Sequence, residues 1–177
     1  MASEILGLNA TLDAGSWSNT HTNVEKIASA DDDTDFMACN RLNVPSTCKF
    51  SLEDTTYATV YKVIIRGRLR YEGGSGVATI YCKTSGGSTV VSKACACNGS
   101  YATFEDEVTG SWSQATVNAF EFWCTFDSGD TPGINDIRIT AAEVEVFDTT
   151  GDGIDPAILA AIISGQNVLL KSGALTV

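Results

Sequence analysis

Residues 56–71 read Thr-Tyr-Ala-Thr-Val-Tyr-Lys-Val-Ile-Ile-Arg-Gly-Arg-Leu-Arg-Tyr, and this alternation narrows what the chain can fold into. Successive side chains of an extended chain point to opposite sides. Tyr57, Thr59, Tyr61, Val63, Ile65, Leu69 and Tyr71 therefore share one face, and Lys62, Arg66, Arg68 and Arg70 the other. This is the pattern of a long antiparallel strand with one buried face. Its β-branched and aromatic content suits a pleated surface, and residues 73–76, Gly-Gly-Ser-Gly, supply a turn after it.

The remaining segments repeat the theme. Residues 36–43 and 47–52 read as two short strands parted by Val44, Pro45 and Ser46, since proline breaks a ladder. Residues 76–83 alternate again, and the turn Ser85-Gly86-Gly87-Ser88 joins them to 89–96 as a hairpin. A further strand is predicted over 101–108, followed by a loop over 109–114 that carries Trp112. The last two strands are predicted over 116–126 and 134–147, across a turn-rich segment at 127–133. Seven or eight strands joined by short turns, with no helical period between them, describe an all-β antiparallel β-sandwich, and about eight strands favour a jelly roll over a closed barrel.

Three regions follow from this reading: an N-terminal arm at 1–30, the sandwich at 31–147 and a C-terminal tail at 148–177. In the tail, Asp155 and Pro156 are placed as N-cap and first helical residue of a short helix over 157–163, Gly165 stops it, and 167–170 and 174–177 form a small hairpin. The helix reads Ala-Ile-Leu-Ala-Ala-Ile-Ile and is apolar all round, so it must pack on the sandwich or on another molecule. Ile158, Leu159, Ile162, Ile163, Leu169 and Leu170 are the expected assembly interface.

Charge and cysteine content exclude several classes. With 22 acidic against 11 basic residues the net charge is −11, which repels phosphate backbones and argues against nucleic-acid and anionic-membrane partners. The 6 cysteines invite a disulfide reading, but residues 1–7 have no basic or apolar signal pattern, so the expectation is a chain kept in the cytoplasm with reduced thiols. Cys95-Ala96-Cys97 lacks the spacing of a zinc knuckle, and the one histidine, His21, lies far away in sequence. No serine–histidine–carboxylate set, phosphate loop or HExxH stretch is present, and the expectation is a protein that is not an enzyme and carries no catalytic residue.

Several groups remain as candidates for binding. Arg66, Arg68 and Arg70 read either as an anion site or, more simply, as a cross-strand ladder with Glu143 and Glu145 of the last strand. Asp31, Asp33 and Asp35 read as a solvated loop or as oxygen ligands for calcium, the one cofactor considered. The loop starting at Asp148 opens like an EF-hand but has Leu159 where a glutamate is needed. Glu105 and Glu107 share a strand face as a carboxylate pair. Trp112, Tyr101 and Trp123 are the candidates for an aromatic ligand platform.

The stretch 61–70, the strand start at 100–103, Trp112 ahead of 117–122 and the closing 137–147 together resemble a jelly-roll module of tailed-phage virion proteins and of carbohydrate-binding-like domains. The resemblance implies a virion structural protein, first of all a capsid decoration or cement protein. It would be assembled in the host cytoplasm against the major capsid protein or other virion proteins, as a homotrimer. Its alternative is a carbohydrate-binding module or tail-fibre component that takes cell-surface glycans.

Overall fold

The computed structural model describes residues 2–18, 22, 24, 26–27, 35–40, 43–72, 74–129 and 136–148. Ten strands and one helical turn are found among them: β1 (Ser3–Leu6), β2 (Leu8–Asp13), β3 (Met37–Asn40), β4 (Ser46–Leu52), β5 (Thr59–Tyr71), β6 (Gly76–Thr84), β7 (Thr89–Cys97), β8 (Ala102–Ser113), α1 (Gln114–Val117), β9 (Phe120–Gly129) and β10 (Asp136–Asp148). They form two five-stranded antiparallel sheets. The first has the order β1-β10-β5-β8, with β3 on the other half of β10's free edge, and the second has the order β2-β4-β9-β6-β7. Strands β3 to β10 thus divide as 3-10-5-8 and 4-9-6-7, the strand order of a jelly roll.

The core lies between the sheets and is built by strict alternation. Strand β9 turns Phe120, Phe122, Cys124 and Phe126 inward, each no more than 1% exposed. Facing them from the first sheet are Val63, Ile65, Leu69 and Tyr71 of β5 and Ile137, Ile139, Val144 and Val146 of β10, all fully buried. Burial of each large side chain contributes about 1.5–3 kcal/mol. All six cysteines are buried and unpaired. Burial pushes the Cys82, Cys95 and Cys97 thiols up to about 12.

Four local expectations change. Residues 1–30, read as an arm, supply an edge strand to each sheet, β1 on β10 and β2 on β4. The chain crosses between sheets at Gly7, whose amide donates to Glu53 Oε2 at 2.9 Å while the Glu53 amide donates back to the Gly7 carbonyl at 2.9 Å. Trp17 enters the core at 5% exposure, its indole N–H donating to the Ser46 carbonyl at 3.3 Å.

A register shift between Val60 and Lys62 swaps the parity at the start of β5. Val60 is buried, and Tyr61, expected inside, packs edge-on to Phe147 at 6.5 Å. The predicted loop over 109–114 is strand for most of its length, because Ser113 and Trp112 pair with Thr59 and Val60. The strand predicted from 116 starts at Phe120 instead, because Ser113 caps a helical turn by accepting the Thr116 amide at 3.3 Å. The predicted tail, with its helix, hairpin and six interface residues, lies outside the described residues.

Glycine is required at one hairpin start. A methyl group on Gly76 would stand 2.7 Å from Cδ2 and 2.9 Å from Cγ of Tyr71, a fully buried ring packed on Phe126 at 5.9 Å. Gly76→Ala is expected to destabilise the fold by about 1–3 kcal/mol. Urea denaturation reads this as a lower midpoint at unchanged slope.

Candidate functional site

The inward commitment of the β9 phenylalanines leaves Glu121, Trp123 and Thr125 on the outer face of the second sheet. Cross-strand register then assembles a cluster. Lys49 of β4 and Tyr81 of β6 are the direct neighbours of Trp123 on either side. The Lys49 and Lys83 ammonium groups lie 4.7 Å and 4.5 Å from the Trp123 ring centroid, and the indole N–H donates to Glu121 Oε2 at 2.7 Å. Lys83 also sits 4.7 Å from the Tyr81 ring and donates to the Gly87 carbonyl at 3.4 Å.

Two walls make this cluster a cleft. On one side β2 brings Leu12, 52% exposed, and Asp13, whose carboxylate accepts the Gly15 amide at 2.9 Å and lies 3.4 Å from Lys49 Nζ. Those two contacts, the amide first and the lysine second, hold the Asp13 carboxyl below its usual range. On the other side stands the β6–β7 turn of Ser85, Gly86 and Gly87, with Gly87 at a φ of +81°. The shallow, open space between them, about 410 Å³, has Lys49, Glu121 and Trp123 along it. An indole framed by two ammonium groups and two carboxylates offers an apolar ring together with donors and acceptors at its rim, the combination that fixes a small polar ligand in orientation.

The outer face of the first sheet is saturated with charge at its centre. Arg66 donates to Glu145 at 2.7 Å, Glu105 at 3.0 Å and Glu143 at 3.1 Å. Glu143 is only 2% exposed and also accepts the Ile27 amide at 2.9 Å. Burial by itself would lower the Arg66 pKa, and the hydrogen bonds to these three carboxylates outweigh it and raise it. The expected ladder with Glu143 and Glu145 is met at Arg66; the register sets Glu143 against Arg66 and Glu145 against Ile64, and Arg68 and Arg70 against Ala141 and Arg138. Arg68 and Arg70 lie instead over the Tyr101 ring, at 5.5 Å and 4.7 Å. The carboxylate pair is likewise committed, Glu105 to Arg66 and Glu107 to Lys62 at 2.5 Å.

The three aromatics expected as one platform stand apart. Tyr101 covers arginines on the first sheet, Trp112 packs edge-on to Phe120 at 6.2 Å, and Trp123 alone occupies the second sheet's outer face. The proposed calcium ligands are not assembled among the described residues: Asp35 is exposed, and Asp31 and Asp33 lie outside them. Glu121 shares the outward face of its strand with Trp123 and was legible there, whereas Lys49, Tyr81, Lys83 and Asp13 were missed by sequence reasoning. Residue spacing along one strand says nothing of its neighbours, and strand order was needed to bring these to Trp123.

No family model matches the chain, and no curated protein matches it in sequence. Among solved structures, a family 29 carbohydrate-binding module is similar over 90% of this chain and 99% of its own, at 13% identity and a TM-score of 0.48. A module described as CBM4 is similar over 66% of this chain and 87% of its own, at 9% identity and a TM-score of 0.46. The enzymatically active domain of tailspike protein 4 from bacteriophage CBA120 is similar over 82% of this chain and 19% of its own, at 8% identity and a TM-score of 0.43.

The two ion-pair environments on the first sheet predict different costs of removal. Arg66→Met strands Glu143 in the interior of a packed face and is expected to cost about 3–5 kcal/mol. Lys62→Met, whose partner Glu107 has a side chain 57% exposed, should cost no more than about 1 kcal/mol. Parallel chemical denaturation of the two variants measures the difference.

Proposed function

We propose that the protein is a non-enzymatic glycan-binding module that takes sugar in the cleft at Trp123. The observation that carries this reading is the half-buried indole standing in an open cleft between the Lys49 and Lys83 ammonium groups, with Glu121 and Asp13 beside it. A pyranose ring has an apolar C–H face that suits an aromatic side chain and a rim of hydroxyls that suits charged donors and acceptors. Both cleft carboxylates have partners, Glu121 the indole N–H and Asp13 the Gly15 amide and Lys49, which favours binding over proton transfer. A glycan array followed by calorimetry on the best ligand tests the proposal. Trp123→Ala should weaken binding by about thirtyfold or more while leaving the melting temperature unchanged. Equal affinity in the variant would remove Trp123 from the site.

A second reading, a virion decoration or fibre protein contacting capsid or other virion proteins, is favoured by the apolar run at 157–163. Seven such residues in succession need a covering partner. Light scattering on the full chain and on a form ending at Phe147 tests it. A trimer that becomes a monomer on truncation supports the tail as an assembly contact, and two monomers count against it.

A further inference from the structure

The outer face of the first sheet, on the opposite side of the sandwich from the Trp123 cleft, holds two arginines in an arrangement that its charge network does not explain. Arg70 of β5 and Arg138 of β10 are direct cross-strand neighbours. Like charges so placed repel each other, and a sheet normally avoids the pairing or neutralises it. Arg138 has one carboxylate, that of Glu72, and lies 4.3 Å from the Phe36 ring centroid. Arg70 lies on the Tyr101 ring at 4.7 Å and makes no ion pair among the described residues. Among the described residues these two guanidinium groups thus have one ion-paired carboxylate between them, whereas neighbouring Arg66 has three. The Nε atoms of both Arg70 and Arg138 are shielded from solvent and have no hydrogen-bond acceptor.

The aromatic seats of this pair and its weakly neutralised charge are what an anion site supplies. The aromatic rings under Arg70 and Arg138 fix the guanidinium planes without consuming their charge. A guanidinium fork presents paired N–H donors that match the oxygens of sulfate, phosphate or carboxylate. We propose that Arg70 and Arg138 form an oxyanion-binding site, with Arg70 as the principal donor, Arg138 as the second and Tyr101 as the surface that holds Arg70 in place. The ligand class is a tetrahedral oxyanion, carried either as a free ion or as a sulfate or phosphate ester on a larger molecule. The site is independent of the Trp123 cleft.

Titrations of sodium sulfate and sodium phosphate at constant ionic strength, followed through the arginine Nε–Hε resonances by NMR, test the proposal on the full chain. Saturable shifts are expected for wild type, with Arg70→Gln weakening the apparent affinity at least tenfold. Lys62→Gln, which removes the same charge elsewhere on this face, should leave it unchanged, and so should Trp123→Ala. The last variant separates this site from the glycan cleft, since each can fail without the other. A sulfated tetrasaccharide beside its desulfated analogue distinguishes the sources. Tighter binding of the sulfated form than of free sulfate identifies an ester-bearing ligand, and equal binding identifies the free ion. Non-saturating shifts, or shifts identical in wild type and Arg70→Gln, would overturn the site.

Discussion

The period of two in an extended chain is the constraint on which this molecule depends. Face-to-face packing of two sheets buries alternate residues of every central strand, and β9 meets the requirement with Phe120, Phe122, Cys124 and Phe126. Truncating one such phenylalanine would cost about 3–5 kcal/mol, a large share of a stability of about 5–15 kcal/mol. What is left on the other parity is free of the core and is available for recognition. Trp123 is outside because its neighbours on both sides are inside.

The two outer faces spend this freedom differently. At the centre of the first sheet, Arg66 gathers Glu105 from β8 and Glu143 and Glu145 from β10, so its hydrogen bonds span three adjacent strands. A two-residue slip of β10 that set Glu143 against Ile64 would preserve the apolar alternation but would separate Arg66 from Glu143, leaving a buried carboxylate without its cation. The network thereby opposes a slip in that direction. On the second sheet the corresponding positions are less crowded. Threonines 47, 79 and 125 form its middle, with Thr47 and Thr125 hydrogen-bonded at 2.8 Å, and the larger side chains collect at one end beside the β6–β7 turn.

The layered all-β architecture was legible in the sequence because alternation reports directly on burial. The signal failed where another interaction outweighed local pattern. The segment 109–113 contains Thr, Gly and Ser, residues common in loops, yet the β5 edge recruits it into β8. The parity of Thr59 and Tyr61 was misread since an irregularity in pairing leaves no mark on the hydrophobic pattern. Site residues were legible only singly. Trp123 was identifiable from β9 alone, whereas Lys49 and Tyr81 join it through strand order, a property of topology that no local stretch encodes. The charge ladder was legible as a pairing of the two strands, and Arg66 meets both Glu143 and Glu145, but equal spacing does not state which Arg faces which Glu.

The distribution of sulfur has a practical corollary. All six cysteines of the chain sit inside the sandwich, and burial holds the Cys39 thiol up to about 11 and three others up to about 12. Toward thiol reagents the folded protein is expected to behave as though it had no cysteine, because all six thiols are buried away from the reagent. A single cysteine placed at an exposed position such as Leu12, on the wall of the cleft, would then be the one addressable group on the molecule. A fluorophore attached there could watch the cleft fill in solution, with the native thiols left in place.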